Sequence, residues 1–163
     1  MQLFVIRHAV AQDPAPELDD AARELTPQGR AKAARAVRGL RALELHFERI
    51  LTSPWRRAMS TARLLAPISR GELFATDLLT QKPNADLLAL IGSANVTTAV
   101  VGHEPWLGEL AAWLAFGDAK HGDALLIKKC GVLWLEGTPV PGGMQVRASI
   151  PPKLLRTIAD LDD

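Results

Sequence analysis

Strands and helices alternate along this chain, and the alternation limits the folds that it can adopt. Short apolar runs at residues 2–6, 49–52 and 97–101 are each followed by a segment with the apolar spacing of an amphipathic helix. Strands that alternate with helices form mostly parallel sheets with helices on both faces. The sequence therefore predicts an α/β fold, a three-layer α/β/α sandwich around a mostly parallel central sheet.

Shorter patterns in the remainder of the chain predict further helices and strands. The pairs Thr26-Pro27 and Ser53-Pro54 each place an N-cap residue before a proline, which predicts two helix starts. We expect the strands near the C-terminus to be antiparallel, and the first two of them to form a hairpin. Strands are predicted at residues 73–76, 124–127, 132–136 and 145–149, and helices at 27–43, 54–66, 85–91, 106–116 and 151–161.

Length and composition exclude several classes of protein. The 163 residues suit one domain, and 48% apolar with 23% charged residues is ordinary for a soluble globular chain. The apolar runs are too short to cross a bilayer, and the lone Cys130 has no partner for an internal disulfide. A net charge of +1 argues against a polyanion binder. We expect a single cytoplasmic domain, residues 1–163, with neither nucleic acid nor membrane as partner.

Polar residues stand where three of the predicted strands end. They are Arg7-His8, the run from Ser53 to Arg57, and Gly102-His103. Ligands of open α/β sheets bind outside the carboxyl ends of the strands, so these groups are expected to meet. Arg57 falls in the first turn of a helix, where an anion is favoured. Two arginines, two histidines and a helix N-terminus predict a site for a dianion, and a phosphoryl group fits it better than a carboxylate.

Most of the other arginines are assigned to solvated helix surface. Residues 1–70 hold 12 of the 19 Lys and Arg residues, and 11 of those 12 are arginine. Arginine binds phosphate through two parallel hydrogen bonds, which lysine cannot do, so arginine is the basic residue best suited to the predicted anion. Only Arg7 and Arg57 are assigned to it, while Arg56, about 100° further round the helix, is expected to face solvent or the rim.

The same segments resemble the motifs of a known family. Arg7-His8-Ala9 resembles the Arg-His-Gly signature of the histidine phosphatase (phosphoglycerate mutase-like) superfamily. Residues 53–62 are similar to its second arginine motif, 101–105 to its second histidine motif, and 25–29 to the element that opens its first long helix. Only 45 residues separate Arg57 from His103, which leaves little room for the large helical insertion of bigger members. The chain thus looks like the short SixA-type phosphohistidine phosphatases.

The resemblance implies a fold, an activity and a role for each motif residue. The fold is phosphoglycerate mutase-like without a large helical insertion. The activity is the removal of a phosphoryl group from phosphohistidine on a protein, such as a phosphotransfer domain, without metal or other cofactor. His8 is the implied nucleophile and carries the covalent intermediate. Arg7 and Arg57 clamp the phosphoryl oxygens, and His103 donates a further hydrogen bond, protonated when phosphate is bound.

Elementary chemistry supports these roles independently. Two neighbouring cations disfavour imidazolium, so we expect Arg7 and Arg57 to lower the pKa of His8 and keep it nucleophilic. A hydrogen bond from its other ring nitrogen to a backbone carbonyl is expected to fix the tautomer. The chain departs from the motif at Ala9, where glycine is usual, and this leaves the local loop geometry open.

The proton donor is unassigned, and so is the exact substrate. Asp77, Asp86 and Glu104 are the candidate acids, none of them preferred. A weak or absent acid suits the labile P–N bond of phosphohistidine better than an alkyl ester, whose alkoxide needs a proton. Two alternatives stay open: a phosphatase of small phosphate esters, and a phosphate-binding module without turnover. The oligomeric state is also left open.

Five further residues are assigned by default. His46 and His121 have no motif around them and are expected at the surface. Cys130 is expected to be a small buried hydrophobe. Trp55 and Trp106 are assigned mainly to the core, with one of the two as a candidate for the pocket mouth.

Overall fold

One mixed sheet organises the molecule. The computed structural model describes residues 1–161, and the last two residues of the predicted domain, 162 and 163, lie outside the described residues. Within residues 1–161 the sheet has six strands in the order β3-β2-β4-β1-β5-β6. They are β1 Gln2–Arg7, β2 Phe47–Thr52, β3 Ser69–Ala75, β4 Thr98–Gly102, β5 Val132–Gly137 and β6 Met144–Ile150.

The first four strands in that order are parallel, and the other two are antiparallel. β3, β2, β4 and β1 pair in parallel, whereas β5 pairs antiparallel with both β1 and β6. This confirms the predicted mostly parallel sheet with antiparallel strands near the C-terminus. It also places the carboxyl ends of β1, β4 and β2 side by side.

Helices cover both faces of the sheet. The α-helices are α1 Pro27–Ala42, α2 Arg56–Leu64, α3 Ala85–Gly92, α4 Trp106–Phe116 and α5 Pro152–Leu161. One apolar cluster joins the sheet to α1, α2 and α5, and another joins it to α3 and α4. The predicted three-layer α/β/α sandwich is therefore confirmed. No helix within the described residues is long and apolar enough to span a lipid bilayer.

β1 shows why the sequences of the central strands are continuous apolar runs. Leu3 and Val5 point into the cluster with α3 and α4, while Phe4 and Ile6 point into the opposite cluster. All four side chains are buried, so neither face of the strand meets water. A strand buried on both faces carries no polar alternation.

The start of α1 follows the sequence signal in detail. The hydroxyl of Thr26 accepts a hydrogen bond from Gly29 N at 2.9 Å, and Pro27 occupies the first helical position. A side chain at Gly29 would overlap the carbonyl of Val10, so glycine lets α1 pack directly against the loop after β1.

Two local predictions are wrong. Residues 124–127 form no strand: they lie in and after a 3-10 helix, Ala119–Leu125, which packs against α4 through the close approach of Gly122 to Glu109. The C-terminal hairpin is instead β5–β6. Nor is Ser53 an N-cap, because α2 begins at Arg56 with no side-chain cap and the Ser53 hydroxyl contacts His103 and Trp55 N.

Candidate active site

The site lies at the carboxyl edge of the sheet, where three parallel strands end together. In the ladder Arg7 of β1 pairs with Gly102 of β4, and Thr52 of β2 pairs with Val101. The next residues continue the ladder, with His8 N donating to Gly102 O at 3.0 Å. The structure therefore brings the three groups of strand-end residues to one place.

The two histidines of the site are close neighbours. The ring centroids of His8 and His103 lie 5.2 Å apart, and the residues are only 5% and 3% exposed. His8 Nδ1 lies 2.7 Å from the carbonyl oxygen of Ala9, so it carries the ring proton and donates it. This agrees with the expected tautomer and leaves Nε2 unprotonated, with its lone pair directed into the site.

Burial is the main reason that His8 is neutral. Its pKa is lowered from 6.5 to about 4, first by burial and then by the cations of Arg57 and Arg7, against the opposing hydrogen bond to Ala9. The arginines act in the predicted direction, but desolvation acts more strongly than they do. At neutral pH the His8 ring is neutral and its Nε2 carries no proton, as a nucleophilic nitrogen must not.

Arg57 is the most enclosed cation of the site. Its guanidinium, 4% exposed, projects from the first turn of α2, and its carbon lies 4.7 Å from the ring centroid of Trp55. Arg57 Nε donates to His8 Nε2 at 3.3 Å. Its two terminal nitrogens donate to the backbone oxygen of Asp20 and, at 2.8 Å, to the Asp20 carboxylate.

Arg7 has a spare donor. One terminal nitrogen donates to Ile127 O at 3.0 Å, while the buried Nε has no hydrogen-bond partner among the described residues. Leaving a buried charged donor unmatched is unfavourable. An anion bound at the pocket floor would supply the missing acceptor.

His103 is held by Ser53, and its ring is neutral. Its Nε2 lies 2.8 Å from the Ser53 hydroxyl, and its buried Nδ1 has no partner among the described residues. Burial, then His8 and Arg57, lower its pKa to about 3. A bound dianion would favour the protonated ring, so the expected protonation of His103 applies when phosphate is bound.

A serine and a threonine outside the predicted set support the site. Besides the Ser53 contact, the Thr61 hydroxyl on α2 accepts from Ala9 N at 3.0 Å and donates to Arg57 O at 2.7 Å. Thr61 thus ties the loop after His8 to the helix that carries Arg57. Both residues lie within the motif of residues 53–62, but their helical or loop position alone does not show these partners.

The pocket has a buried floor and an exposed rim. Its volume is about 450 Å³, with Arg7, His8, Arg57 and His103 among the residues that line it. The rim comes partly from the loop after β1, which contributes Asp13, Pro14, Asp20 and Arg23. Arg56 is absent from the lining and pairs with Glu24 at 2.9 Å on the exposed surface.

Both tryptophans beside the motifs line the pocket. The ring centroid of Trp55 lies 4.5 Å from that of His103, and the ring of Trp106 lies 6.3 Å from it. The assignment of these residues mainly to the core is therefore wrong. Each follows a strand-end loop at the carboxyl edge, which is the signal that predicts this position.

Other default assignments have mixed outcomes. His46 and His121 are exposed, as expected. Cys130 is only partly buried as a residue, and burial raises the pKa of its thiol to about 11. Its backbone N–H, at a φ of 63°, donates to the carbonyls of Arg7 and His8, so it also supports the turn at the site.

None of the three candidate acids is suitably placed. Asp77 and Asp86 do not line the pocket. Glu104 lines it, but its two carboxylate oxygens accept hydrogen bonds from Gly108 N and Ile127 N, at 2.9 and 2.6 Å. The carboxylates at the rim are Asp13 and Asp20, which the motif analysis missed.

The signal for Asp20 is its place in the segment that follows β1 and His8. Loops at that edge surround the ligand of an open α/β sheet. Within the described residues, no cluster of three or more His, Cys, Asp or Glu side chains has the geometry to hold a metal ion.

Comparison with known sequences identifies relatives along most of the chain. The family model of the histidine phosphatase superfamily (branch 1) matches residues 3–80. An uncharacterized protein of Picosynechococcus sp. is 35% identical over 145 residues, which cover 83% of this chain and 84% of that protein.

Comparison with solved structures supports the fold. The protein histidine phosphatase SixA, complexed with tungstate, aligns with a TM-score of 0.77 at 23% identity and covers 95% of this chain and 99% of that chain. A phosphoserine phosphatase of Entamoeba histolytica gives 0.68 at 16%, covering 94% and 98%. An alpha-ribazole phosphatase of Shigella flexneri gives 0.72 at 16%, covering 93% and 97%. At these identities the likeness concerns the fold.

Proposed function

Because the chain belongs to the histidine phosphatase superfamily, we propose that it removes the phosphoryl group from phosphohistidine on a protein substrate. The observation that carries the proposal is the neutral, buried His8, whose Nε2 lies beside Arg57 at the floor of a pocket with an exposed rim. A nucleophile and a cationic clamp are in place there, whereas Glu104, the predicted acid that lines the pocket, has both carboxylate oxygens engaged.

In the first step His8 Nε2 attacks phosphorus. A new P–N bond forms as the P–N bond of the substrate breaks, and the electron pair of the broken bond passes to the substrate's imidazole. When that ring carries a proton on its remote nitrogen, it leaves as neutral imidazole. The proton on His8 Nδ1, held by Ala9 O, remains in place throughout. Arg57 and the spare donor of Arg7 balance the charge of the phosphoryl oxygens.

In the second step water attacks the phosphorylated His8. An O–P bond forms, the P–Nε2 bond breaks, and its electron pair returns to the His8 ring, which becomes neutral again. The product is dihydrogen phosphate, which ionises further according to the pH. His103, once protonated by the presence of the dianion, donates a hydrogen bond to a phosphoryl oxygen. These steps use side chains alone, and the proposal includes no metal ion.

The engagement of Glu104, the predicted acid that lines the pocket, favours a P–N substrate over a P–O substrate. An alkoxide leaving group needs a proton in the transition state, and Glu104 has both oxygens engaged by backbone N–H groups. An imidazole leaving group needs none once its remote nitrogen is protonated. The exposed rim also suits a phosphohistidine that is presented on the surface of another protein.

The direct test is phosphate release from a phosphorylated histidine-containing phosphotransfer domain. We expect rapid release with the wild-type chain and a loss of at least 1,000-fold with His8→Ala, since the nucleophile is removed. Equal activity of the variant would contradict the mechanism. His46→Ala, which alters an exposed histidine, is the matched control.

Small phosphate esters are the second candidate, because proteins named phosphoserine and alpha-ribazole phosphatase share the fold. A panel of phosphoserine, sugar phosphates and nucleotides separates the two. High rates on esters with none on phosphohistidine would contradict the protein substrate and keep the His8 mechanism. Binding without any turnover would instead support a phosphate-binding module.

A further inference from the structure

Asp20 is an anion already bound at the phosphoryl site. Its carboxylate accepts from one terminal nitrogen of Arg57 at 2.8 Å, and its backbone oxygen accepts from the other. Arg57 is nearly inaccessible, whereas the Asp20 side chain is 50% exposed. The contact therefore joins a fixed cation at the floor to a carboxylate at the rim.

Asp20 has a second anchor away from the floor. Its other carboxylate oxygen accepts from Arg23 at 2.7 Å, and Arg23 Nε in turn donates to Gln12 O at 2.8 Å. We call residues 12–24 the strap, because Gln12 and Glu24 bond to each other at its two ends and Asp13, Asp20 and Arg23 within it line the pocket. Asp20 can lose Arg57 and still be held by Arg23.

The carboxylate is charged under ordinary conditions. Hydrogen bonds from Arg23 and then Arg57 hold the pKa of Asp20 below its usual value. A phosphoryl dianion that entered the floor would meet this negative charge beside the same guanidinium. Like charges so close together repel, so the carboxylate and the phosphoryl group compete for Arg57.

We propose that Asp20 is a specificity-determining residue: the phosphoryl group displaces it from Arg57, and from the rim its carboxylate then favours leaving groups that bear an N–H over anionic ones. The second half rests on the proposed function. In-line transfer to His8 directs the leaving group away from the floor, towards the rim where Asp20 stays anchored by Arg23. There a protonated imidazole can donate to the carboxylate, whereas a leaving group that carries a carboxylate is repelled.

Binding of tungstate and of inorganic phosphate tests the displacement. Asp20→Asn keeps the size and backbone contact of the residue but removes its charge, so we expect about tenfold tighter binding by calorimetry. Asp19→Asn is the matched control. It removes the same charge from the strap and preserves the cap on Ala21 N, but the hydrogen bonds that Arg57 makes to the strap go to Asp20. Equal or weaker binding by Asp20→Asn than by the control would overturn the displacement.

The leaving-group preference is tested by a ratio of rates. We expect Asp20→Asn to lower kcat/KM for a phosphohistidine protein and to raise it for 3-phosphoglycerate, shifting the ratio at least tenfold. The ratio is independent of how much protein folds. An unchanged ratio would overturn this half of the proposal. A wild-type chain inactive on phosphohistidine would contradict the proposed function instead, while the tungstate experiment still judges the displacement.

Discussion

Two buried arginines, eight residues apart in sequence, differ in what holds them. Arg49 lies on β2 and Arg57 in the first turn of α2, and both guanidinium groups are largely removed from water. Arg49 donates to neutral oxygens only. Arg57 donates to the candidate nucleophile His8 and to the carboxylate of Asp20. One cation is satisfied by fixed structure, and the other by groups that a ligand can replace.

Arg49 closes the end of α3. It donates to the carbonyls of Leu90 and Ile91, at 3.2 and 2.5 Å, and to the hydroxyls of Ser93 and Thr98. A cation is favoured at the C-terminus of a helix, where carbonyls lack partners. The assignment of all but two or three arginines to helix surface is therefore wrong for Arg49.

The contrast teaches that burial alone does not mark a catalytic arginine. Arg49 makes five hydrogen bonds to neutral groups, which leaves it no donor for an anion. Arg57 stands at the carboxyl edge of the sheet and its carboxylate partner is half exposed. An exchangeable partner, together with position at that edge, distinguishes the binding residue from the structural one.

The largest expected effect is on activity at Arg57. Arg57→Lys keeps the charge but loses the fork that spans His8 and the phosphoryl oxygens, so kcat/KM should fall about 100-fold or more. Steady-state kinetics on a phosphorylated phosphotransfer domain measures this. The exposed neighbour variant Arg56→Lys should retain nearly full activity, and an equal loss in both would remove the distinction.

Arg49 should show the reverse pattern. Lysine has three donors for the five hydrogen bonds that Arg49 makes, so Arg49→Lys loses at least two of them, which should lower the free energy of unfolding by about 2–3 kcal/mol. Urea denaturation measures the loss. We expect activity per folded molecule to stay within about twofold of wild type, and a selective loss of kcat would show that Arg49 is more than structural.

Acid should destabilise the site through its two neutral histidines. The folded pKa values of His8 and His103, about 4 and about 3, lie below the ordinary 6.5, so the unfolded chain takes up protons first. The free energy of unfolding should therefore fall as the pH drops from 6.5 towards 4, by about 1.4 kcal/mol per pH unit for each ring.

Urea titrations at a series of pH values test this linkage. His103→Gln should remove about half of the slope between pH 6 and pH 4.5. The exposed-site variant His46→Gln gives the comparison. A slope that is the same in both variants would contradict the account of buried, neutral rings.

The smallest effect is expected at Thr61. Thr61→Val removes the acceptor of Ala9 N and leaves that buried N–H unpaired, which should reduce stability by about 1 kcal/mol. Because Thr61 acts by positioning the loop after His8, kcat should fall with little change in KM. Thr61→Ser, which keeps the hydroxyl, should restore both the stability and kcat. Failure of this rescue would indicate that Thr61→Val acts only through altered side-chain packing.

The fold was predictable because its signals are local. Each central strand is an apolar run, and a cap or a strand-end motif precedes each helix that follows. The strand predicted at residues 124–127 was wrong because a short apolar run does not distinguish a strand from a 3-10 segment packed on α4. The convergence of Arg7, His8, Arg57 and His103 followed from parallel strands ending at one edge.

The partners of Asp20, Ser53 and Arg49 were not predictable in this way. Asp20 begins a 3-10 helix, Asp20–Ala22, in an exposed segment whose path depends on tertiary contacts. In the sequence an acidic residue in such a segment indicates only a solvated side chain. Ser53 precedes a proline, a pattern that predicts a helix N-cap. In the structure its hydroxyl instead forms a hydrogen bond with His103, which is distant in sequence. The acceptors of Arg49 come from residues 90–98, and no spacing near residue 49 reveals them.

The central claim is that His8 receives the phosphoryl group, and trapping the intermediate tests it most directly. The enzyme is mixed with a 32P-labelled phosphohistidine protein, quenched at alkaline pH within milliseconds, digested and sequenced by mass spectrometry. We predict label on the peptide that contains His8, decaying at least as fast as kcat and missing in His8→Ala. Full turnover with no label on His8, or label unchanged in the variant, would contradict the account.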